Sequence, residues 1–102
     1  MGSTSPTTSS EPARLERRFA AWRAAGRRAL IPYLTAGYPA PAATPGLLDR
    51  IAAAGADVLE LGVPFSDPLA DGPTIQRASQ RALEQGASLA WTLEVLAGFR
   101  AR

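Results

Sequence analysis

At 102 residues the chain has room for one ordinary domain of about 100–150 residues. It contains no Cys and no His, which excludes disulfides, thiolate metal sites, and the commonest general base and metal ligand. Apolar residues make up 46% of it and the net charge is only +2, so the composition is that of a folded domain, and acid–base chemistry falls to nine carboxylates.

Alanine dominates the apolar fraction and buries little area per residue, so a thin core is expected for this length. All eleven basic residues are Arg, and six of them lie between Arg14 and Arg28. Such a block can touch nucleic acid, but no aromatic residues interleave with it for base stacking. The outer face of an amphipathic helix explains it more simply, and no nucleic-acid partner is expected. No run approaches the ~20 apolar residues of a membrane span. The first ten residues lack the basic start and hydrophobic centre of a secretory leader. The expectation is a cytoplasmic protein with no membrane contact and no metal site.

Residues 1–10 are rich in Ser, Thr and Pro and are expected to form a disordered tail. Residues 11–25 read as a helix, with Pro12 near its start and Gly26 at its end. Leu15, Phe19 and Trp22 recur on one face of it, a spacing that suits core packing. Residues 29–36 form a short apolar run closed by Gly37 and Pro39, which reads as a buried strand. Residues 41–54 read as a helix with Leu47, Leu48 and Ile51 on one side and Gly55 as its stop. Residues 57–63 read as a second strand and residues 73–85 as a third helix. Ser88 then caps a fourth helix from Leu89 to about Phe99. A strand–helix–strand unit with a crossover of this length implies an α/β fold with parallel pairing and a right-handed connection.

The second strand carries the chemistry. Alternation puts Val58, Glu60 and Gly62 on one face and Leu59, Leu61 and Val63 on the other. The aliphatic face suits packing under helices. A carboxylate in a strand of Val and Leu is unfavourable to bury, so Glu60 is a functional candidate. Gly62 on the same face leaves space for a group to approach, and Ile31, Tyr33 and Thr35 form the matching face of the first strand. Glu60 lies toward the C-terminal end of its strand, where parallel α/β folds bind ligands. Apolar neighbours are expected to raise its pKa, which suits a group that gives and takes protons near neutral pH. The alternative for Glu60 is an ion pair with Arg from another element. Asp67 and Asp71 lie in a loop stiffened by Pro64, Pro68 and Pro73. On spacing alone Asp67 is equally a turn residue and Asp71 a helix N-cap.

Residues 59–76, LELGVPFSDPLADGPTIQ, resemble the signature of the tryptophan synthase α-subunit family. Residues 31–39, IPYLTAGYP, resemble that family's first strand and following turn. The likeness runs from about Leu15 to Phe99. It implies that residues 11–102 are the N-terminal part of a (β/α)₈ TIM barrel, namely its N-terminal helix and first two β/α units, incomplete in this chain. A closed barrel of this kind takes about 250 residues. The implied reaction is the retro-aldol cleavage of indole-3-glycerol phosphate to indole and glyceraldehyde 3-phosphate, a lyase step of tryptophan biosynthesis. By position Glu60 matches the catalytic acid–base that protonates indole C3, and Asp71 the aspartate that stabilises the indole N–H. Tyr33 falls where an aromatic residue, usually Phe, contacts the indole ring. Phe65, Asp67, Pro68 and Leu69 match the segment facing the β subunit, the expected partner in an α2β2 tetramer. No cofactor is implied for this subunit; pyridoxal phosphate is implied only for the β subunit. The family's phosphate-binding loops lie later in the barrel, so the 102 residues alone are expected to be inactive. A non-catalytic fragment that docks on the β subunit is the alternative.

Overall fold

The computed structural model describes residues 10–65 and 71–102. Helix α1 spans Ser10–Ala24, so the helix begins within the segment read as a tail. Strand β1 is Tyr33–Thr35. A single 3₁₀ turn, Pro41–Ala43, leads into α2, Thr44–Ala53. Strand β2 is Glu60–Gly62, and the helices α3, Pro73–Glu84, and α4, Leu89–Ala101, follow. The order of elements is the one expected. Both strands are shorter than their apolar runs, because each has only the other to pair with among the described residues.

The pairing is parallel, with Tyr33 opposite Glu60, Leu34 opposite Leu61 and Thr35 opposite Gly62. Backbone bonds extend it at both ends. Asp57 and Val58 N–H donate to the Leu30 carbonyl at 3.0 and 3.3 Å, and Ala36 N–H donates to the Gly62 carbonyl at 2.9 Å. The N-terminal end of this ladder is held by a side chain as well. One carboxylate oxygen of Asp57 accepts from Leu30 N–H at 2.8 Å and the other from the Arg27 guanidinium at 2.7 Å. The Asp57 side chain is only 11% exposed. The Leu30 N–H, then the Arg27 bond, hold its carboxyl below the ordinary value of 3.8.

Helices α1, α2 and α4 gather on the Leu59 and Leu61 side of the sheet, around a cavity of about 850 Å³. Leu15 and Trp22 of α1, Leu48 and Ala52 of α2, and Leu96 and Phe99 of α4 line it. Of the Leu15–Phe19–Trp22 stripe, Leu15 and Trp22 line this cavity and Phe19 does not; none of the three is buried, and Leu15 is 47% exposed. Phe19 meets Trp22 edge to face at 5.0 Å. Arg18 and Arg27 lie over the Trp22 ring at 5.6 and 5.7 Å, an attractive contact of a cation with a π face. The rest of the Arg block is exposed, as expected for the outside of a helix. Arg102 joins α4 to α2 through Asp49 at 2.8 Å.

Helix α3 packs on β1 and the turn after it. Thr44, fully buried, accepts from the Gly37 N–H at 2.9 Å, and Gln85 donates to the Pro39 carbonyl at 2.7 Å. Gly37 has φ +92°, and a Cβ there would lie 2.8 Å and 2.9 Å from the Cβ atoms of Ala87 and Ala82. Ser88 caps α4 as expected, accepting from Trp91 N–H at 3.1 Å. The core is as thin as the composition implies. Among the described residues, the buried apolar side chains besides Pro64 are Ala36, Leu48, Ala78, Ala82 and Ala87, with Leu48 the one large aliphatic among them.

Two expected outcomes follow from this packing. Gly37→Ala adds a methyl at a positive φ against two residues of the α3 end. It is expected to destabilise the chain by more than about 1 kcal/mol, read as an earlier urea midpoint of the helical circular dichroism. The depressed Asp57 pKa contributes stability that is present above the ordinary carboxylate range and is lost as pH falls through the folded-state value. Asp57→Asn is therefore expected to destabilise near neutral pH. Its gap from the parent should shrink as the pH falls below about 4, measured by the same unfolding curves across pH.

Candidate functional site

The face of the sheet opposite the helices carries Tyr33 and Thr35 from β1 and Glu60 and Gly62 from β2. This is the grouping that strand alternation implied. The parallel register sets Glu60 directly across from Tyr33. A one-residue slip would put Leu61 in its place. Thr35, 5% exposed, donates its hydroxyl to the Tyr33 phenol oxygen at 3.4 Å. The phenol in turn lies over the bare Cα of Gly62.

Glu60 departs from expectation in two respects. It is exposed rather than buried, because the face it occupies has no covering layer among the described residues. The apolar surroundings on which a raised pKa was expected are therefore not assembled here. It is also the first residue of the short strand, not one near its end. The ion pairs Arg27–Asp57 and Arg102–Asp49 use other carboxylates, so the carboxylate of Glu60 is not a partner in either.

Asp71 stands half-buried at the foot of α3, which packs on β1. It does not take the N-cap role that spacing allowed. Gly72 occupies that position, and no side chain caps the helix. Asp71 contributes its backbone carbonyl instead, which accepts from Gln76 Nε2 at 2.9 Å. Its carboxylate is thus not used as a cap. Phe65, three residues past β2, is 54% exposed. Asp67, Pro68 and Leu69 lie outside the described residues.

Two features emerge only from the fold. Asp57 is more than the first residue of a strand, because a carboxylate at a strand mouth can capture a neighbouring backbone N–H, here that of Leu30. The space left by the missing side chain of Gly62 is occupied by the Tyr33 ring. The pairing of Tyr33 with Thr35 was legible as an i, i+2 relation on one strand face.

The sequence profile described as tryptophan synthase alpha chain matches residues 19–102. The tryptophan synthase alpha chain of Laribacter hongkongensis is 60% identical over 87 residues, covering 85% of this chain and 33% of that protein. The Nitratidesulfovibrio vulgaris alpha chain is 57% identical over 89 residues, covering 87% and 35% respectively. Among solved structures, the tryptophan synthase subunit alpha of Legionella pneumophila superposes with a TM-score of 0.82 at 43% identity, over 86% of this chain and 34% of that one. An open form of the Mycobacterium tuberculosis tryptophan synthase superposes with a TM-score of 0.80 at 41% identity, over 86% and 35%. The chain thus spans about a third of the length of these relatives. Its two parallel β/α units and leading helix are the first part of a TIM barrel. By this match over most of its length, the chain belongs to the tryptophan synthase alpha chain family.

Proposed function

We propose that this chain supplies the first third of a tryptophan synthase α subunit, the part that carries the catalytic carboxylates for cleaving indole-3-glycerol phosphate. One observation carries this: a glutamate stands on the open face of a two-stranded parallel sheet, directly opposite Tyr33, inside the segment that matches the family. In the retro-aldol step Glu60 gives its proton to indole C3, and positive charge develops on the ring nitrogen. Asp71, freed from capping, stabilises that N–H by its negative charge. The carboxylate left on Glu60 then takes the proton of the side-chain hydroxyl. The hydroxyl becomes the aldehyde carbonyl as the carbon–carbon bond breaks, and the bonding pair returns to the ring. Indole and glyceraldehyde 3-phosphate result, with no atom gained or lost. Tyr33 forms part of the surface for the indole ring.

Completing the barrel would cover the open face and enclose Glu60 among the residues that later strands supply. No cofactor is proposed for this subunit; pyridoxal phosphate belongs to the β subunit in this scheme. A cytoplasmic, small-molecule enzyme working with the β subunit in an α2β2 assembly is part of the same proposal, with no nucleic acid or membrane involved. The Arg block supports this indirectly, since Arg27 is engaged with Asp57 and Arg18 with Trp22.

The 102-residue chain alone is expected to release no indole. A full-length chimaera, with residues 19–102 of this chain replacing the matching segment of the Legionella pneumophila α subunit, is expected to be active. Glu60→Gln in that chimaera should lower kcat by at least about 100-fold, measured by indole release. An unchanged kcat would remove Glu60 from the chemistry.

The exposure of Phe65 favours a second reading, in which this segment also docks on the β subunit. Phe65→Ser in the chimaera should weaken β-subunit binding about tenfold while Glu60→Gln leaves it unchanged. Titration calorimetry with purified β subunit separates the two, and equal affinity for parent and Phe65→Ser discards the docking role.

A further inference from the structure

Glycines normally survive in a fold for one of two reasons: a backbone angle that L-residues avoid, or a neighbour that leaves no room for a Cβ. Gly62 belongs wholly to the second kind. It is not among the glycines with positive φ, so its backbone accepts any residue. It is the last residue of β2, where glycine adds no side chain to pack. The three atoms nearest to a Cβ built at this position are the hydroxyl oxygen, Cζ and Cε2 of Tyr33, and all three would overlap it. A Cβ here would meet the far end of one side chain and no backbone among its nearest atoms, so it would displace the Tyr33 ring.

That side chain is held from its other end. The Thr35 hydroxyl, almost fully buried, donates to the Tyr33 oxygen, and Thr35 is paired across the ladder with Gly62 itself. The phenol thus rests on the residue opposite its own tether. Its ring leans across β2 beyond Glu60, its register partner, and it remains 44% exposed on the face that carries the carboxylate.

We propose that Gly62 and Tyr33 form one specificity-determining unit. The bare Cα of Gly62 is the seat for the Tyr33 phenol, and the seated phenol is the wall of the aromatic-binding space beside Glu60. The seat stands on the geometry alone, whereas the identity of the aromatic ligand rests on the function proposed above. A side chain at position 62 lifts the phenol off its seat and into the space the ligand ring must enter. The hydroxyl that distinguishes Tyr from Phe at this position therefore acts as a spacer whose length the glycine matches.

The test is a double-mutant cycle in the full-length chimaera. Its readout is the Kd for a non-cleavable analogue, an indole propyl phosphate lacking the side-chain hydroxyl. Binding needs no turnover, so loss of the cleavage chemistry and loss of the seat are read separately. Gly62→Ala is expected to weaken binding at least tenfold in the Tyr33 parent and less than twofold in a Tyr33→Leu background, because the atoms it would strike are gone. Tyr33→Phe, which removes the nearest of those atoms, should recover part of the loss. If Gly62→Ala in the parent does not fold while the double variant folds and binds, the seat is equally established. An equal loss of binding in both backgrounds, or failure to fold in both, assigns the glycine a backbone role and overturns the proposal. Unchanged binding on Gly62→Ala in the parent does the same.

Discussion

The exchange of hydrogen bonds between Leu30 and Asp57 is the constraint from which the open face of this chain follows. Leu30 gives its carbonyl to the Asp57 and Val58 N–H groups and its own N–H to the Asp57 carboxylate. With two strands of three residues each, the backbone ladder is too short to defend its register by length alone. A slip by one residue would reverse the faces of β2, burying Glu60 among the helices and exposing Leu61. The carboxylate of Asp57 opposes that slip with a charge-assisted bond at one end. The Ala36 to Gly62 bond opposes it at the other. Arg27 neutralises the charge, and its guanidinium also lies over Trp22 of α1, so the same contact ties the leading helix to the sheet.

The two sides of the sheet have opposite characters. On one, Leu59 and Leu61 meet three helices around a cavity whose apolar walls are joined by charged residues, Arg14, Arg18, Arg100, Arg102 and Asp57. On the other, Tyr33 and Glu60 stand exposed. The buried core between elements is mostly alanine, which lets backbones approach closely but supplies little apolar area. Large apolar side chains such as Leu30, Ile31, Leu89 and Leu93 remain exposed in its place. A chain that spans about a third of its relatives presents this balance naturally, since the surfaces that later strands and helices cover in a barrel are open here.

The two tight glycines show how local demands differ at neighbouring points of one site. Gly37 answers to the backbone and to α3, since its φ is +92° and Ala82 and Ala87 press against it. Gly62 answers to one aromatic ring. Both positions lie next to β1, and together they fix where the strand ends and where its Tyr33 points. The placement of α3 through Gly37 also decides where Asp71 emerges, because α3 begins two residues later.

Much of this was legible in the residues themselves. Periodicity and punctuation marked the four helices and two strands in order, Ser88 marked the α4 cap, and alternation put Tyr33, Thr35, Glu60 and Gly62 on one face. Those features depend on local stereochemistry, which a linear chain carries in full. What the tertiary structure decided was of a different kind. The exposure of Glu60, the seating of Tyr33 on Gly62, the release of Asp71 from capping and the clamp made by Asp57 all depend on which groups meet across the fold. Burial and pKa follow from neighbours distant in sequence, so no local pattern could determine them.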